Sequence, residues 1–393
     1  MQRNKLIAAA LAVAFTTPAW AESANVTVYG VANVSIDAIN IGSGTTTANG
    51  NVPVNGFGSN KVSSNTSRLG LKGSEDLGDG LAAIWQIESL VSLDNAGGSL
   101  GTRNTFAGLK SDSAGTVLLG RHDTPYNIST RRFDVFTDTI ADNRSILGGG
   151  RAVAANAAPR AAAATVGASF DSRQPDVAAY ISPSLNGFAG AVAYVAGAEG
   201  QTLATQTKGG AWSAAGWYAG DSLYASLAYE IHTLGNAGGT LGNNVVPANT
   251  TLSENAWKAG LSYKLEGLTA SLSYEKTSDD FGAAKKNLFG HTAYYVSGRY
   301  DFGSNAIKLA YSKAGKNSVA NTGANQISAG FDHSLSKRTT LYAQYTQLKN
   351  DAAGVYTTFS ATNATGSPAA LTVAQTGFGA KLSAVQFGLK HTF

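Results

Sequence analysis

The chain has 393 residues and a formal net charge of +4, from 29 Lys and Arg against 25 Asp and Glu. So small an excess does not indicate nucleic acid, and no nucleic-acid partner is expected. The absence of cysteine excludes a disulfide framework, a thiolate zinc site and a cysteine nucleophile. The 46 glycines, 16 tyrosines and 15 phenylalanines, with 14% charged residues, favour strands and turns over helices.

The first residues predict a signal peptide, residues 1–21. Two cationic residues precede an apolar run of roughly ten residues, Leu6–Phe15, and Ala19-Trp20-Ala21 supplies the small residues that signal peptidase requires. The alternative, a membrane anchor, needs about 20 apolar residues, about twice this length. No Pro-rich, Ser-rich or charged linker divides the remainder, so residues 22–393 are predicted to form one exported domain.

A period of two runs along the chain, with apolar residues on one parity and polar residues on the other. The segment 257–265, for example, places Trp257 and Tyr263 on one face and Lys258 and Lys264 on the other. A turn of two residues then leads into a second strand with the same alternation. The same reading predicts sixteen strands, near residues 26–40, 60–73, 80–94, 102–110, 115–121, 166–183, 186–197, 210–219, 221–232, 254–265, 267–278, 290–302, 304–314, 324–335, 338–349 and 381–393.

Short turns alternate with long polar loops between these strands. Turns such as Phe302-Gly303-Ser304 and Leu335-Ser336-Lys337 contain only a few residues. An even number of antiparallel strands, with short turns at one end and long loops at the other, is typical of outer-membrane barrels. The loops are predicted near residues 41–59, 95–101, 122–165, 198–209, 233–253, 279–289, 315–323 and 350–380.

The pattern alone does not tell whether the single apolar face of each strand points into a protein core or toward lipid. Aromatic residues on the apolar parity near strand ends favour lipid, because aromatic side chains line membrane interfaces. They are Trp257, Tyr263, Tyr274, Tyr294, Tyr300, Phe302 and Tyr311. The last strand places Val385, Phe387, Leu389, His391 and Phe393 on one parity, which resembles the terminal strand read by the outer-membrane assembly machinery.

Several stretches resemble the general-diffusion porins of Gram-negative bacteria, in particular their beta-proteobacterial branch. The matching stretches are Val26-Thr27-Val28-Tyr29-Gly30, residues 67–80, residues 103–110, Gly120-Arg121 and residues 182–188. The resemblance implies a 16-stranded antiparallel transmembrane β-barrel whose third long loop, residues 122–165, folds into the lumen. It also implies a homotrimer in which loop 95–101 reaches a neighbouring subunit, placed in the bacterial outer membrane among lipid and lipopolysaccharide. No cofactor is implied.

In this family the constriction sets acidic residues of the inner loop against basic residues of the wall, and the resemblance assigns Arg68, Arg103 and Arg121 to the wall. Lys72 shares a parity with Arg68, whereas Arg121 reaches the lumen only if its strand ends or bulges there. The loop supplies Asp134, Asp138 and Asp142, but Arg131, Arg132, Arg144 and Arg151 make it unusually basic for the family. The direction of the field in the constriction is therefore left open.

A count of charges on the predicted lumenal parity gives eight basic and six acidic residues, which predicts a weak preference for anions. The basic residues are Arg68, Lys72, Arg103, Lys258, Lys264, Arg299, Lys308 and Lys390. The acidic residues are Asp37, Glu88, Glu230, Glu275, Asp301 and Asp332. The function predicted from the sequence is passive diffusion of ions and small hydrophilic solutes.

Three other functions compete with a general channel. A substrate-specific channel would need a basic phosphate site or an aromatic slide, and the sequence shows neither clearly. A barrel enzyme would need histidine and acid partners, but the five histidines fall on the lipid side, in a loop or at strand ends, and no nucleophile or metal motif is present. An adhesin could use the long loops, whose composition indicates only that they are exposed.

Overall fold

The computed structural model describes residues 25–45, 53–95, 99–148, 170–197, 209–234, 239–241, 244–246, 252–281, 283–358 and 377–393. The predicted signal peptide, residues 1–21, lies outside the described residues. Arg151 does as well.

The sixteen predicted strands are confirmed, and they form one antiparallel sheet that closes on itself. The strands are β1 Asn25–Ile41, β2 in two segments Phe57–Ser64 and Arg68–Gly78, β3 Leu81–Leu90, β4 Thr105–Ser111, β5 Gly115–Asp123, β6 Arg173–Ile181, β7 Phe188–Gly197, β8 Gly209–Ala219, β9 Leu223–Leu234, β10 Leu252–Leu265, β11 Leu268–Asp279, β12 Thr292–Phe302, β13 Asn305–Ala314, β14 Ala324–Ser334, β15 Thr339–Asn350 and β16 Lys381–Thr392. The described part of predicted strand 166–183 is extended only over β6.

The interruption of β2 reverses the parity that faces inward. Before it, Ser63 is 1% exposed and Val62 is 58% exposed, so odd-numbered residues point into the barrel. After it, Leu69 is 44% exposed and faces outward. Thr66, at the centre of the interruption, has a positive φ of 56°. The interruption contains one residue more than regular alternation allows, so even-numbered residues point inward after it. The side chain of Arg68 therefore lies on the inner face.

The barrel closes between its first and last strands. β1 pairs with β16 from Val31 opposite Thr392 to Ile41 opposite Leu382. Gly30 extends this pairing, since its N–H donates to the carbonyl of Phe393 at 3.0 Å and its carbonyl accepts from the N–H of Phe393 at 3.1 Å. A Cβ atom at Gly30 would collide with the ring of Phe393. Closure leaves none of the sixteen described strands at an open edge of the sheet, as a sheet in lipid requires.

The apolar face of the strands points away from the barrel. On β10, Trp257 is 50% exposed and Tyr263 is 52% exposed, whereas Lys258 between them is 1% exposed. The same alternation exposes Leu309 and Phe387 on other strands. A soluble sandwich would bury these side chains, so the orientation that the sequence left open is the one expected for a barrel in lipid.

The described part of the third long loop, residues 124–148, packs against inward-facing residues of the barrel wall. It begins with α1, Pro125–Arg131, whose first turn is capped by the Thr124 hydroxyl accepting from the N–H of Asn127 at 3.3 Å. It continues through a 3₁₀ turn, Asn143–Ser145. Apolar side chains of the loop fill the space between it and the wall and are at most 2% exposed; they are Phe133, Phe136, Ile140, Ile146 and Leu147.

The other loops contain short elements. Two-stranded hairpins join Gly44–Thr45 to Pro53–Val54 and Gly239–Leu241 to Asn244–Val246, and a 3₁₀ turn covers Ala283–Lys285. Within the described ranges, no helix has the length and apolar character needed to cross a bilayer.

Candidate functional site: the lumenal constriction and its vestibule

Hydroxyl groups of the barrel wall hold the inner loop in place. The Tyr295 hydroxyl donates to Asp134 Oδ1 at 3.0 Å, and the Tyr224 hydroxyl donates to the carbonyl of Ser129 at 3.0 Å. The hydroxyl of Ser297 donates to the carbonyl of a loop residue at 2.8 Å. These donors come from strands β9 and β12, which form one attachment side; on β1, Asn33 Nδ2 also donates to the carbonyl of Asp138 at 3.1 Å.

A buried ionic cluster fixes both ends of the described loop to the same side. Lys258 Nζ contacts Asp171 Oδ1, lies 3.6 Å from Glu275 Oε2 and sits 4.1 Å from the centre of the Tyr126 ring. Glu275 also accepts from the Tyr126 hydroxyl at 2.8 Å and from the N–H of Gly148 at 3.0 Å. Burial and the charge of Glu275 raise the pKa of Asp171 despite the opposing charge of Lys258. The charges of Lys258 and Glu275, on the inner face of the barrel, therefore attach the loop to the wall.

The loop carries its own charge cluster, which we call the loop cluster: Arg131, Arg144, Asp134, Asp138 and Asp142. Arg131 lies 3.4 Å from Asp134, 3.2 Å from Asp138 and 2.7 Å from Asp142. Arg144 lies 3.4 Å from Asp138 and 2.9 Å from Asp142. The side chains of Asp134 and Asp142 are 0% exposed. The cluster is thus largely neutralised within the loop.

The three carboxyl groups of the loop cluster differ in acidity. Burial, together with the charge of Asp142, raises the pKa of Asp134 to about 7 even though Arg131 opposes the shift. Burial acts in the same direction on Asp138 and Asp142, but Arg131 and Arg144 outweigh it and hold the pKa of both below the usual range. Asp134 is therefore the member whose charge changes near neutral pH.

A second group of charges lies on strands β1–β3 and just before β4, opposite strands β9–β12. Arg68 Nη1 donates to Asp138 Oδ2 of the loop at 3.1 Å, and its Nε lies 3.9 Å from Glu88 Oε2. Arg103 contacts the other oxygen of Glu88, and the Tyr29 hydroxyl donates to Glu88 at 3.0 Å. Arg68 is thus the cation of this group that spans to the loop, while Arg103 is paired on the wall itself.

The two remaining wall residues occupy different surroundings. Lys72 lies on the same strand as Arg68 but nearer to the short turn that follows it. Its Nζ is 5.3 Å from the centre of the Tyr29 ring, and the side chain is exposed to the lumen. The bulge that Arg121 requires is present, because the pairing of β5 with β6 shifts between Gly120 and His122. Arg121 Nε, however, donates to the carbonyl of Thr102 at 3.1 Å. Arg121 is therefore bonded to the preceding loop and not to a carboxylate of the constriction.

On the short-turn side of the inner loop the lumen widens into a cavity of about 430 Å³, which we call the vestibule. Its six cationic side chains are Arg132, Arg299, Lys308, Lys337, Arg338 and Lys390. Its two carboxylates are Asp134 and Asp332. Asp332 lies 2.7 Å from both Arg299 Nη1 and Lys308 Nζ, so it neutralises only part of this charge. Asp301, beside the cavity, also pairs with Arg299 at 2.9 Å.

The structure changes the charge count made from the sequence. Lys258, Asp37, Glu230 and Glu275 are at most 1% exposed and lie against the loop or within polar networks. Asp37, for example, accepts from two serine hydroxyls at 2.6 Å and from Gln386 at 2.8 Å. Without these four, seven basic and three acidic residues of the original set remain. Alternation places a side chain on the inner face but does not show that an inner loop covers it.

A closed barrel with an apolar outer face and a charged lumen narrowed by an inner loop defines a porin-type channel of the outer membrane. The profile of the Gram-negative porin family matches residues 8–353 of the chain. The chain belongs to this family.

Relatives support the same conclusion. Outer membrane porin protein 32 of Delftia acidovorans is 29% identical over 393 aligned residues, with 98% of each chain covered. Major outer membrane protein P.IA of Neisseria meningitidis serogroup B is 28% identical over 347 residues, covering 77% of this chain and 80% of that protein. The anion-selective porin from Comamonas acidovorans has the same fold, with a TM-score of 0.69 and 23% identity over 94% of this chain and 100% of that one.

The protein is therefore an outer-membrane porin, a water-filled channel for passive diffusion of ions and small hydrophilic solutes. The short turns mark its periplasmic end and the long loops its extracellular end. The vestibule lies on the periplasmic side of the constriction.

Proposed function

We propose that this porin is a homotrimeric diffusion channel with a mild preference for anions. The observation that carries the preference is the vestibule, where six cationic side chains face two carboxylates. Fixed charge of one sign in a narrow aqueous passage raises the local concentration of the opposite ion. A relative of the same fold, from Comamonas acidovorans, is itself described as anion-selective.

We further propose that the constriction is formed by Arg68, Lys72 and Arg103 on the wall and by the loop cluster on the other side. The carboxylates of the loop cluster are held by Arg131 and Arg144, which reduces the negative field that they present to the lumen. The ion pair between Arg68 and Asp138 sets the approach of the loop to the wall. Arg121, on β5, is assigned a supporting role, in which it holds the segment before β4 through the carbonyl of Thr102.

The trimer contact is proposed to lie on the outer face of β1–β5. The exposed large apolar side chains there are aliphatic except for Phe57, and they include Val28, Leu71 and Leu119. From β6 onward the outer face carries exposed aromatic residues, as a lipid interface requires; they include Tyr180, Tyr194, Trp212, Trp257, Tyr274, Tyr300 and Tyr345. A face without an aromatic girdle is suited to another subunit in place of lipid.

The absence of cysteine allows a direct test of this contact. A fluorophore on Leu119→Cys is expected to be shielded from brominated lipid in a particle with the mass of three chains. The same fluorophore on Leu309→Cys, which is 58% exposed on the opposite side, should be strongly quenched. Equal quenching at both positions, or a particle of one chain, would contradict the proposed trimer.

We also propose that residues 1–21 are a signal peptide that is removed on export, so intact-mass measurement of the membrane protein should show a chain that begins at Glu22. No catalytic activity is assigned: His232, the most enclosed histidine, is held between Glu230 at 2.7 Å and Glu254 at 2.9 Å with its ring stacked on Phe170. This arrangement is structural, because a reacting group needs access to a substrate.

The selectivity is tested by single-channel recording in a planar bilayer. In a tenfold gradient of potassium chloride, the reversal potential is expected to have the sign of chloride permeation. Conductance is expected to rise linearly with salt and to appear in groups of three steps. A reversal potential of the potassium sign would contradict the anion preference, and saturating flux of a particular solute would point instead to a substrate-specific channel.

A further inference from the structure

Over their described residues, strands β9–β14 contain three glycines, two of which face inward. Gly260 on β10 and Gly330 on β14 share their parity with buried residues of the same strands, whereas Gly298 on β12 shares its parity with lipid-facing residues. None of the three has a φ in the left-handed region, so the backbone does not require glycine there. Glycine inside a strand often marks the close approach of another group.

A phenylalanine ring of the third long loop occupies the space above each inward glycine. A Cβ atom added at Gly260 would collide with the ring of Phe133. A Cβ atom added at Gly330 would lie 2.8 Å from Cε1 of Phe136. At Gly298 it would meet nothing within 4 Å. The two inward glycines therefore create two recesses in the wall, each filled by a ring that is at most 1% exposed.

Small side chains flank the recess at Gly260. This glycine lies opposite Ser226 on β9 and opposite Ser273 on β11, and both serines are buried. The ring of Tyr224, also on β9, contacts the Phe133 ring edge to face, with 5.5 Å between the ring centres. The recess therefore receives the Phe133 ring at one position along the strand.

Longer side chains flank the recess at Gly330. This glycine lies opposite Lys308 on β13 and opposite Gln344 on β15. A Cβ atom at Gly330 would be 3.2 Å from Cε of Lys308 and 3.3 Å from Cβ of Gln344. The Nζ atom of Lys308 lies 4.9 Å from the centre of the Phe136 ring. The ring of Phe136 is therefore held between the wall and a cation of the vestibule.

The two rings together prevent the loop from sliding along the wall. Three residues of chain span at most about 10 Å, whereas four strand spacings of about 4.8 Å separate β10 from β14 along the wall. The rings of Phe133 and Phe136 therefore point away from each other, and sliding would withdraw one of them. Between the two recesses, the hydroxyl of Ser297 on β12 donates to the carbonyl of Phe133 at 2.8 Å.

The depth to which the rings enter the recesses determines how far the loop stands from β9–β14. A ring that could not enter its recess would displace the loop toward the wall group around Arg68. From this we propose that Phe133 and Phe136 are positioning residues of the channel: seated in the two recesses, they set the distance between loop and wall and thereby the largest solute that passes. This inference rests on the proposed constriction and adds a size limit to its charge preference.

The test measures channel size with the purified full chain in a planar bilayer. Neutral polyethylene glycols of increasing mass are the probes, because they do not respond to lumenal charge. Gly260→Leu fills the first recess and should lower single-channel conductance by about half, with a smaller polymer limit than in the parent protein. Gly260→Ala should act in the same direction and less strongly. The matched control, Gly298→Leu, adds the same side chain on the lipid-facing surface and should change neither value.

A size exchange separates the seating of the rings from general damage to the fold. Phe133→Leu combined with Gly260→Ala should restore the conductance and polymer limit of the parent, and Phe136→Leu with Gly330→Ala is the corresponding pair at the second recess. If Gly260→Leu does not fold, Gly260→Ala and its exchange decide the question. Conductance in Gly260→Leu equal to that of Gly298→Leu, conductance above that of the parent, or no restoration by either exchange would overturn the proposal.

Failure of this inference can be told from failure of the proposed function. The reversal potential of the parent protein tests the anion preference and does not depend on the recesses. Asp142→Ala, which breaks the loop cluster, tests whether the loop limits the current. A changed current in Asp142→Ala with an unchanged current in Gly260→Leu would overturn the role of the recesses and leave the constriction in place. An unchanged current in both variants would overturn both proposals.

Discussion

The loop cluster and the vestibule use the same residue types to opposite effect. In the loop cluster, five ion pairs of at most 3.4 Å link two arginines to three aspartates, and the charges cancel over short distances. In the vestibule, six cations share two carboxylates, and Arg132, Lys337 and Arg338 are exposed. Charge that is paired and buried fixes the shape of the constriction, whereas charge left unpaired sets the field that an ion meets.

The largest effect is expected from Asp142→Ala, which breaks the loop cluster. Asp142 accepts from Arg131 and Arg144, and its loss leaves two guanidinium groups without their shortest partner. Removing one partner of a buried ion pair lowers the free energy of unfolding by about 3–5 kcal/mol. Thermal unfolding should occur at a lower temperature, and single-channel current should become larger and noisier as the loop leaves its position.

The matched control for Asp142→Ala is Asp221→Ala, in an exposed periplasmic turn. This change should alter neither unfolding nor current. If Asp142→Ala shows the same midpoint and the same quiet current as the control, the loop is not held by its charge cluster.

Tyr295→Phe tests the attachment of the loop with a smaller perturbation. It removes the hydroxyl that donates to Asp134 and that accepts from the N–H of Val135 at 3.3 Å, while the ring remains. The expected loss is about 1 kcal/mol of unfolding free energy, with an increase in current noise. Tyr311→Phe, on the outer face, is the control. Unequal noise between the two variants without a change of ion preference would show that attachment and selectivity are separable.

Lys390→Gln combined with Arg338→Gln tests the vestibule without touching the loop cluster. Removing two of its six cations should lower the ratio of chloride to potassium permeability by about twofold and leave thermal unfolding nearly unchanged. Lys313→Gln, which removes a charge from the outer face, should not alter that ratio. A ratio that stays constant in the vestibule variant would place the selective field elsewhere.

The smallest effect concerns pH. Because the pKa of Asp134 is raised to about 7 from an ordinary value near 4, the folded protein holds a proton that the unfolded chain releases. The resulting stabilisation is present below about pH 4 and is lost as pH rises through 7. Between pH 8 and pH 6 the chloride preference should rise slightly, since one carboxylate becomes neutral. Asp134→Asn should remove this dependence; an identical pH profile in both proteins would assign the titration to another group.

Much of the fold was predictable from the sequence, because alternation is a local property that each strand repeats. Trp257 and Lys258 differ in exposure as their parity predicts. The reversal across the interruption of β2 was not visible in the overall alternation, yet the position of Arg68 could be predicted from its nearest apolar neighbours. The alternation of the residues next to Arg68 still predicts the direction of its side chain, although the interruption shifts the register of the whole strand.

The site was less predictable, since it depends on contacts between residues distant in the chain. Asp134, Asp138 and Asp142 were expected opposite the wall, but the structure brings them first to Arg131 and Arg144, and of the three only Asp138 forms an ion pair with the wall. The tyrosine and lysine attachments to the loop gave no sequence signal beyond their inward parity. The basic character of the loop was the one available sign that its carboxylates would be paired within it.

The strict alternation along each strand also governs how the chain reaches its membrane. Polar residues recur throughout segments such as Leu252–Leu265, which carries Glu254, Lys258 and Lys264, so an apolar run of about 20 residues never forms there. Unfolded, such a segment is not retained by the inner membrane as a transmembrane helix would be. The apolar surface exists only after neighbouring strands pair. The chain therefore acquires its affinity for lipid by folding, after it has passed through the inner membrane.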